Sequence, residues 1–265
     1  MNMKKQISKP LSYNYFLWDM ERLFKLYNPK LYTGKLLNLL ALCRDGFFIK
    51  GNIGNNTFSY ISGRTLSVAP VCEYLIDSKI ELGTDTVFVD KWDDQLKVCC
   101  GLKKYFVGRT ERSKTPFYLC DNHNFVLEAW QIVKDYSPKL TLVHIDQHRD
   151  DAKFSGNINN YLQETRICDY IDCAKKADWI NLRHYSFTES KDLAKGIFLG
   201  EYSRFILNID LDFFAPEVTH ISLDNKIDLI QKILPYTELI TIATSPGFID
   251  QKLAILLAEI LIKNL

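Results

Sequence analysis

The chain has 265 residues, 47% of them hydrophobic, which is enough to bury a core, and its 33 basic and 32 acidic residues leave a net charge of +1. This balance excludes the broad basic surface that binds nucleic acid. No apolar run of about 18 residues occurs, and the polar start MNMKKQISKP lacks a signal-peptide core, so we expect no membrane partner. The seven cysteines are odd in number and include no C-x-x-C pair, which predicts reduced thiols in a cytoplasmic protein.

The first part of the chain predicts a small α+β addition. Residues 15–44 carry apolar side chains at helical spacing. From 47 to 71, β-branched and aromatic residues alternate with Gly and Asn, which predicts short strands and turns. We interpret this β region, which includes Phe58 and Tyr60, as a structural cap, and a docking surface for a peptide is the alternative.

Later in the chain, short apolar runs alternate with stretches of helix length. This alternation predicts βαβ units and a mostly parallel, buried sheet. We predict a single domain over 1–265, in which 81–265 form the α/β core and 1–80 the less regular addition. The predicted strands are Thr86–Asp90, Phe117–Cys120, Leu140–Asp146, Trp179–Leu182, Phe205–Leu211 and Leu239–Thr244. The predicted helices are 124–135, 160–177, 223–234 and 250–264.

Three of these strands run into residues of the kinds that bind metals. Asp146, His148 and Asp150 follow one strand at a spacing of two, which places their side chains on one side of an extended segment. Asp210 and Asp212 end a second strand with the same spacing. Because ligands of parallel sheets bind beyond the carboxyl ends of the strands, these side chains are predicted to meet at one edge.

A histidine completes this predicted cluster, because His123 follows the strand that ends at Cys120. Four carboxylates so close together would repel each other without cations, and carboxylate oxygen with imidazole nitrogen suits Mn²⁺ or a similar divalent ion. A lone Asp-x-Asp is usually a solvated or capping pair. The occurrence of ligand residues after three strands favours a metal centre instead, and Asp146 and Asp210 lie in apolar runs where an unpaired carboxylate is unfavourable.

The motifs Asp146-x-His148-x-Asp150 and Asp210-x-Asp212 resemble those of the ureohydrolase superfamily, which includes arginase and agmatinase. The strings CDNHN, HIDQHRD, NIDLDFF and TIATSPGFID are closest to an arginase-like family. That family includes peptide arginases, which convert arginine side chains of ribosomally made precursor peptides to ornithine. The resemblance covers about residues 115–265 and implies a three-layer α/β/α fold.

The resemblance also implies a binuclear centre of two Mn²⁺ ions. When the family's ligand positions are matched to this sequence, the resemblance implies that one ion is bound by His123, Asp146, Asp150 and Asp210. It assigns the other ion to Asp146, His148, Asp210 and Asp212. Asp146 and Asp210 would then bridge the two ions.

A water shared by two divalent ions has a lowered pKa, and we predict that it attacks the guanidinium carbon of an arginine side chain. The products would be urea and ornithine. Asp150 is predicted to carry a proton from this water to the leaving amine. His184, which follows the predicted strand Trp179–Leu182, is interpreted either as a proton shuttle or as a structural residue. His144 is interpreted as a core or supporting histidine.

The sequence departs from arginases at the residue that pairs with the guanidinium. Arginases carry a glutamate after the last strand, whereas Ala243-Thr244-Ser245-Pro246-Gly247 contains no acid. Glu217 and Asp250 are the candidate substitutes for substrate binding, and a surface position is the alternative for each.

The leading hypothesis is a manganese hydrolase whose partner is a precursor peptide containing arginine. One alternative is hydrolysis of a small guanidino or acylamino compound. The other is a non-catalytic binding protein that retains the fold. The sequence leaves the oligomeric state open, a homo-oligomer included.

Overall fold

The structure is a computed structural model that describes residues 20, 39–50, 65–136, 140–195 and 204–265. Its strands are β1 Phe47–Lys50, β2 Thr65–Val68, β3 Val71–Glu73, β4 Leu82–Trp92, β5 Gln95–Leu102, β6 Tyr105–Arg109, β7 Pro116–Cys120, β8 Leu140–Ile145, β9 Ile180–Phe187, β10 Phe205–Asp210 and β11 Thr237–Ala243. Its α-helices are α1 Val126–Tyr136, α2 Tyr161–Glu164, α3 Tyr170–Lys176, α4 Ser190–Lys195, α5 Leu223–Ile233 and α6 Gln251–Asn264.

Seven strands form the main sheet, in the order β3-β6-β7-β11-β10-β8-β9. The last five strands of this order are parallel to one another. β6 is antiparallel to β7, and β3 is parallel to β6. The carboxyl ends of five strands therefore share one edge, and the prediction of an α/β fold with a mostly parallel sheet is confirmed.

The centre of the sheet is built from the most apolar runs of the sequence. Every residue of β7, β10 and β11 is buried, as expected for parallel strands covered on both faces. The chain crosses from β7 to β8 to β9 in one direction along the sheet and returns from β9 to β10 to β11 in the other. Because such crossovers are right-handed, the two directions place their connecting helices on opposite faces, which gives three layers.

One predicted strand belongs to a different sheet. Thr86–Asp90 lies inside β4, which pairs antiparallel with β5 as a separate two-stranded sheet, so its assignment to the parallel series was wrong. Asp93 and Asp94 have φ angles of 46° and 65°, the left-handed conformation that a two-residue hairpin turn requires. The turn leads directly into β5, which pairs with β4, so no helix lies between the two strands.

Two other predicted elements have different bounds. The strand predicted at Trp179–Leu182 extends to Phe187, so the prediction that His184 follows this strand was wrong. His184 lies inside β9, opposite Leu142 of β8. The single helix predicted over 160–177 is divided into α2 and α3.

The predicted cap is described only in part. β1 and β2 pair antiparallel, and β3 joins the main sheet. Phe58, Tyr60 and most of the helix predicted over 15–44 lie outside the described residues. All seven cysteines carry free thiols. Among the helices that the structure describes, none has the length and apolarity to cross a membrane.

Candidate metal centre

Ligand-type side chains meet where four neighbouring strands of the main sheet end. β7, β11, β10 and β8 are adjacent, so residues that are far apart in sequence become neighbours at this edge. β7 leads into a 3-10 turn, β8 leads into an irregular loop, and β10 leads into another 3-10 turn. These segments carry the six predicted ligands, His123, Asp146, His148, Asp150, Asp210 and Asp212, and the structure brings all six together.

His123 lies among three of the carboxylates. Its Nδ1 atom is 2.9 Å from Oδ2 of Asp150 and 3.3 Å from Oδ2 of Asp146. Its Nε2 atom contacts Asp210. One imidazole ring is therefore shared by three acids: Nδ1 faces the two acids that follow β8, and Nε2 faces the acid that ends β10.

His148 lies on the other side of Asp146. Its Nδ1 atom is 3.4 Å from Oδ1 of Asp146 and 3.1 Å from Oδ2 of Asp212. Three overlapping groups of ligand atoms, each with all its atoms within 4.8 Å, could hold a metal ion. Asp146 belongs to all three, which are His123–Asp146–Asp210, Asp146–His148–Asp212 and His144–Asp146–Asp150.

The three deepest carboxylates each use one oxygen to fix the backbone. Oδ1 of Asp146 accepts a hydrogen bond from the amide of His148 at 2.6 Å, and Oδ1 of Asp210 accepts one from the amide of Asp212 at 3.1 Å. Oδ1 of Asp212 accepts one from the amide of Gln147 at 3.2 Å. Within the described residues, the Oδ2 atoms of the same three aspartates are buried and accept no hydrogen bond of normal geometry, although each lies near an imidazole nitrogen of His123 or His148. Buried oxygens of this kind are unfavourable unless a cation compensates them, so the donor set fits divalent metal ions.

The pKa values of these groups reflect the crowding. Burial, followed by the charges of Asp212 and Asp210, holds the pKa of Asp146 well above its usual value. Burial and Asp210 raise the pKa of Asp212 to about 6. Burial alone lowers the pKa of His123, but the Asp210 and Asp146 carboxylates outweigh it and raise that pKa well above its usual value. The carboxylates thus attract positive charge strongly to this edge.

The cluster opens to solvent at His148, whose side chain is 44% exposed, whereas the Asp150 side chain is only 8% exposed. The ring of Phe248 packs against His148 with 5.3 Å between centroids, and Trp92 packs against Phe248 at 5.3 Å. Lys97 stacks over Trp92 at 3.8 Å and donates a hydrogen bond to the carbonyl of Gly247. The β4–β5 hairpin therefore borders the opening through an aromatic wall that we define as Trp92 and Phe248.

The remaining predicted site residues lie elsewhere. His184 lines a cavity of about 240 Å³ together with Arg149, Asp151 and Asp192, and burial lowers its pKa to about 4. Glu217 is exposed in the loop after β10. The carboxylate of Asp250 accepts a hydrogen bond from the amide of Leu253 at 3.0 Å, which makes it the N-cap of α6.

Ser245 is the residue of the centre that the sequence did not reveal. Its hydroxyl donates a hydrogen bond to Oδ1 of Asp210 and lies 2.5 Å from Nε2 of His123. In the sequence, the segment Ala243–Gly247 stands out only for its missing acid. Ser245 reaches the ligands because β11 lies between β7 and β10, a strand order that no local pattern predicts.

The fold and the site together define an α/β protein with a His/Asp cluster suited to metal ions at the carboxyl edge of a mostly parallel sheet. No protein-family model matches the chain, and no curated protein matches its sequence.

Among solved structures, the chain is similar to proclavaminate amidino hydrolase from Streptomyces clavuligerus, with a TM-score of 0.41 and 12% identity. The similarity covers 56% of this chain and 63% of that protein, so the chain spans less than two thirds of its length.

Proposed function

We propose that this protein is a hydrolase that uses divalent metal ions to remove the amidino group from arginine side chains of a precursor peptide. The products are ornithine side chains and urea. The observation that carries the metal-dependent part is the convergence of the buried Oδ2 atoms of Asp146, Asp210 and Asp212 with the ring nitrogens of two imidazoles, in ligand groups that could hold a metal ion. The arginine and peptide parts are supported by the sequence motifs that resemble those of peptide arginases.

We propose two Mn²⁺ ions, the first held by His123, Asp146, Asp150 and Asp210. The second would be held by Asp146, His148, Asp210 and Asp212. Such ions would supply Lewis acidity and a water of lowered pKa at this edge. Oxygen and imidazole ligands suit manganese, and a site without cysteine thiolate does not favour the softer metals.

The protein residues would orient the reactants and move protons. Water adds its oxygen to the guanidinium carbon, the bond from that carbon to the side-chain nitrogen breaks, and the oxygen leaves in urea. Asp150 has a side chain that is nearly buried beside His123, and we propose that it takes a proton from the water and gives it to the leaving nitrogen. Its φ of 46° turns the chain sharply after His148 and directs this carboxylate back to the cluster.

An open site supports a large substrate. His148 is partly exposed, and the cavity lined by Arg149, Asp151 and His184 lies next to Asp150 in the chain, outside the cluster. A peptide could place one arginine side chain at His148 while its backbone remains at the surface. His184 could still assist proton transfer from this cavity, although its pKa of about 4 makes it neutral near pH 7.

The test is to load the full chain with Mn²⁺ and measure urea from free arginine, from agmatine and from a precursor peptide that contains arginine. We expect urea from the peptide, accompanied by peptide product in which ornithine replaces arginine. Asp146→Asn should abolish the reaction, and Asp228→Asn, at an exposed acid of α5, should leave it unchanged. Urea from free arginine alone would overturn the peptide part, and no urea from any substrate would overturn the guanidino part.

A further inference from the structure

Ser245 lies between two ligands that come from different strands. It follows β11, the strand between β7 and β10, and its side chain is buried. Its hydroxyl contacts Asp210 at the end of β10 and His123 after β7. A single side chain that follows the middle strand therefore connects the acid that ends β10 to the imidazole that follows β7.

The direction of these hydrogen bonds follows from the number of protons. A serine hydroxyl has one proton to donate, and a carboxylate oxygen can only accept, so the proton of Ser245 points to Oδ1 of Asp210. The serine oxygen must then accept from His123, which places a proton on Nε2 of the imidazole. Oδ2 of Asp210 also faces this nitrogen, so a proton on Nε2 avoids repulsion between the lone pairs of the two atoms.

A proton on Nε2 leaves Nδ1 of His123 as the nitrogen with a free lone pair in the neutral ring. That atom faces Oδ2 of Asp150 at 2.9 Å and Oδ2 of Asp146 at 3.3 Å. All three atoms can bind a metal ion, and none can donate a proton to the others when the ring is neutral. The hydrogen bond at Ser245 thus selects Nδ1, the nitrogen that faces Asp146 and Asp150, as the one free to bind a metal ion.

The backbone holds Ser245 in this position against its own preference. Its φ of 50° is in the left-handed region, which is unusual for a residue other than glycine. The amide of Ser245 donates to the carbonyl of Asp121 at 2.9 Å, and its carbonyl accepts from the amide of Phe248 at 3.0 Å. Unfavourable backbone geometry that is fixed by surrounding contacts is concentrated at functional sites.

We infer that Ser245 is a positioning residue for divalent metal binding, which fixes the Nε2–H tautomer of His123 and the orientation of the Asp210 carboxylate. This inference rests on the proposed metal centre and goes beyond it, because Ser245 is not among the proposed ligands. Groups that orient metal ligands in this way typically contribute about 10- to 100-fold to metal affinity.

The test measures binding of Mn²⁺ and Co²⁺ to the metal-free full chain by calorimetry, together with the visible absorption of bound Co²⁺. Ser245→Ala should raise the Kd about 10-fold or more and alter the Co²⁺ absorption. Ser245→Gly also removes the hydroxyl but relieves the left-handed backbone, so it should weaken binding to a similar extent while the metal-free protein unfolds no more easily than the wild type.

Thr244→Val is the matched control, because the hydroxyl of Thr244 is also buried but donates to Gln251 at 3.0 Å rather than to a ligand. Its Kd should stay within about twofold of the wild type, whatever happens to its melting temperature. Unchanged metal affinity in both Ser245 variants would overturn the inference and leave the metal centre intact. Failure of the wild type to bind either ion would overturn the proposed function itself.

Discussion

Two layers of buried polar residues lie one above the other in the same strands, and they differ in how completely they are paired. The lower layer consists of His144 in β8, Asn208 in β10 and Thr241 in β11, with Tyr170 of α3 beside them. The upper layer consists of Asp146, Asp210 and Asp212. Asp146 and Asp210 come two residues after His144 and Asn208 in the chain.

The lower layer is fully hydrogen-bonded. Asn208 donates to the Tyr170 hydroxyl at 2.9 Å and to Nδ1 of His144 at 3.1 Å, and it accepts from Thr241 at 2.7 Å. Nε2 of His144 donates to the carbonyl of His148 at 3.1 Å. Burial lowers the pKa of His144 to about 4, in agreement with a neutral ring and with the core role predicted for this histidine.

In the upper layer, by contrast, the Oδ2 atoms of the three aspartates accept no hydrogen bond of normal geometry in the described part of the chain and lie near ring nitrogens of His123 and His148 instead. Burial is nearly the same in both layers, so exposure does not explain the difference. The lower layer is therefore satisfied by hydrogen bonds within the protein, whereas the upper layer has the donor atoms of a candidate metal site.

The largest effect is expected for Asp146→Asn. Because Asp146 belongs to all three ligand groups, its loss should reduce hydrolysis by more than about 100-fold. The same variant is expected to change stability. In the wild type, Mn²⁺ at 100 times its Kd should increase the free energy of unfolding by about 2.7 kcal/mol. The variant should lose this gain, yet melt at a higher temperature than the wild type when both are metal-free, because the buried carboxyl group that Asp210 and Asp212 repel is gone. Calorimetric melting with and without Mn²⁺ measures both; a metal-free variant that melts lower would contradict the contrast.

Asn208→Leu should lower the stability of the protein by an amount that does not depend on metal. The change removes the hydrogen bonds that Asn208 makes with His144, Tyr170 and Thr241, which should lower the free energy of unfolding by about 3 kcal/mol. This loss should be the same with and without Mn²⁺ in urea titrations. Asn225→Leu, at an exposed position of α5, is the control and should change stability by less than about 0.5 kcal/mol. If the free energy of unfolding fell only in the presence of Mn²⁺, the lower layer would belong to the metal site rather than to the fold.

Lys226 offers a test by pH. It is buried, and its Nζ atom donates to the carbonyls of Phe213 and Val218 below the turn that carries Asp212. Burial lowers its pKa to about 8 from the usual 10.5, so below pH 8 both the folded and the unfolded chain hold the proton and the burial penalty is fully present. Between pH 8 and 10.5 the unfolded chain binds more protons, so stability should rise with pH.

The measurement is the stability of the wild type minus that of Lys226→Met, by urea unfolding at several pH values. This difference should increase across the window by up to about 1.4 kcal/mol for each unit of pKa shift. A difference that stays flat from pH 8 to 10.5 would mean that the lysine is not charged below pH 8 or is not desolvated.

The smallest effect is expected at the aromatic wall. Phe248→Leu reduces the contact with His148 and Trp92 and removes the aromatic ring beside the opening. If the wall packs on the cationic side chain of the substrate, KM should rise about two- to fivefold with little change in kcat. Phe48→Leu, at a ring that is 70% exposed in β1, should change neither. A fall in kcat with constant KM would place Phe248 among the residues that position His148.

Much of the candidate site could be predicted from the sequence, because its ligands follow buried strands directly. Alternation along an extended chain is a local property, so a spacing of two is sufficient to place Asp146 with His148 and Asp210 with Asp212. The apolar runs of β7, β8, β10 and β11 are likewise recognisable, with predicted bounds within two residues of those observed.

The parts that could not be predicted depend on contacts between distant segments. The run Thr86–Asp90 has the composition of a buried strand, and only its pairing partner distinguishes a hairpin from a parallel strand. His184 was predicted to follow a strand because the apolar run of the sequence ends at Leu182, whereas β9 continues to Phe187.

The sequence by itself determined which residues bring charge to the centre, since their identity and spacing belong to short segments. The tertiary structure alone decided that β11 lies between β7 and β10, and therefore that Ser245 joins His123 to Asp210. The physical reason is that spacing within a strand is set by local backbone geometry, whereas strand order is set by packing over the whole sheet.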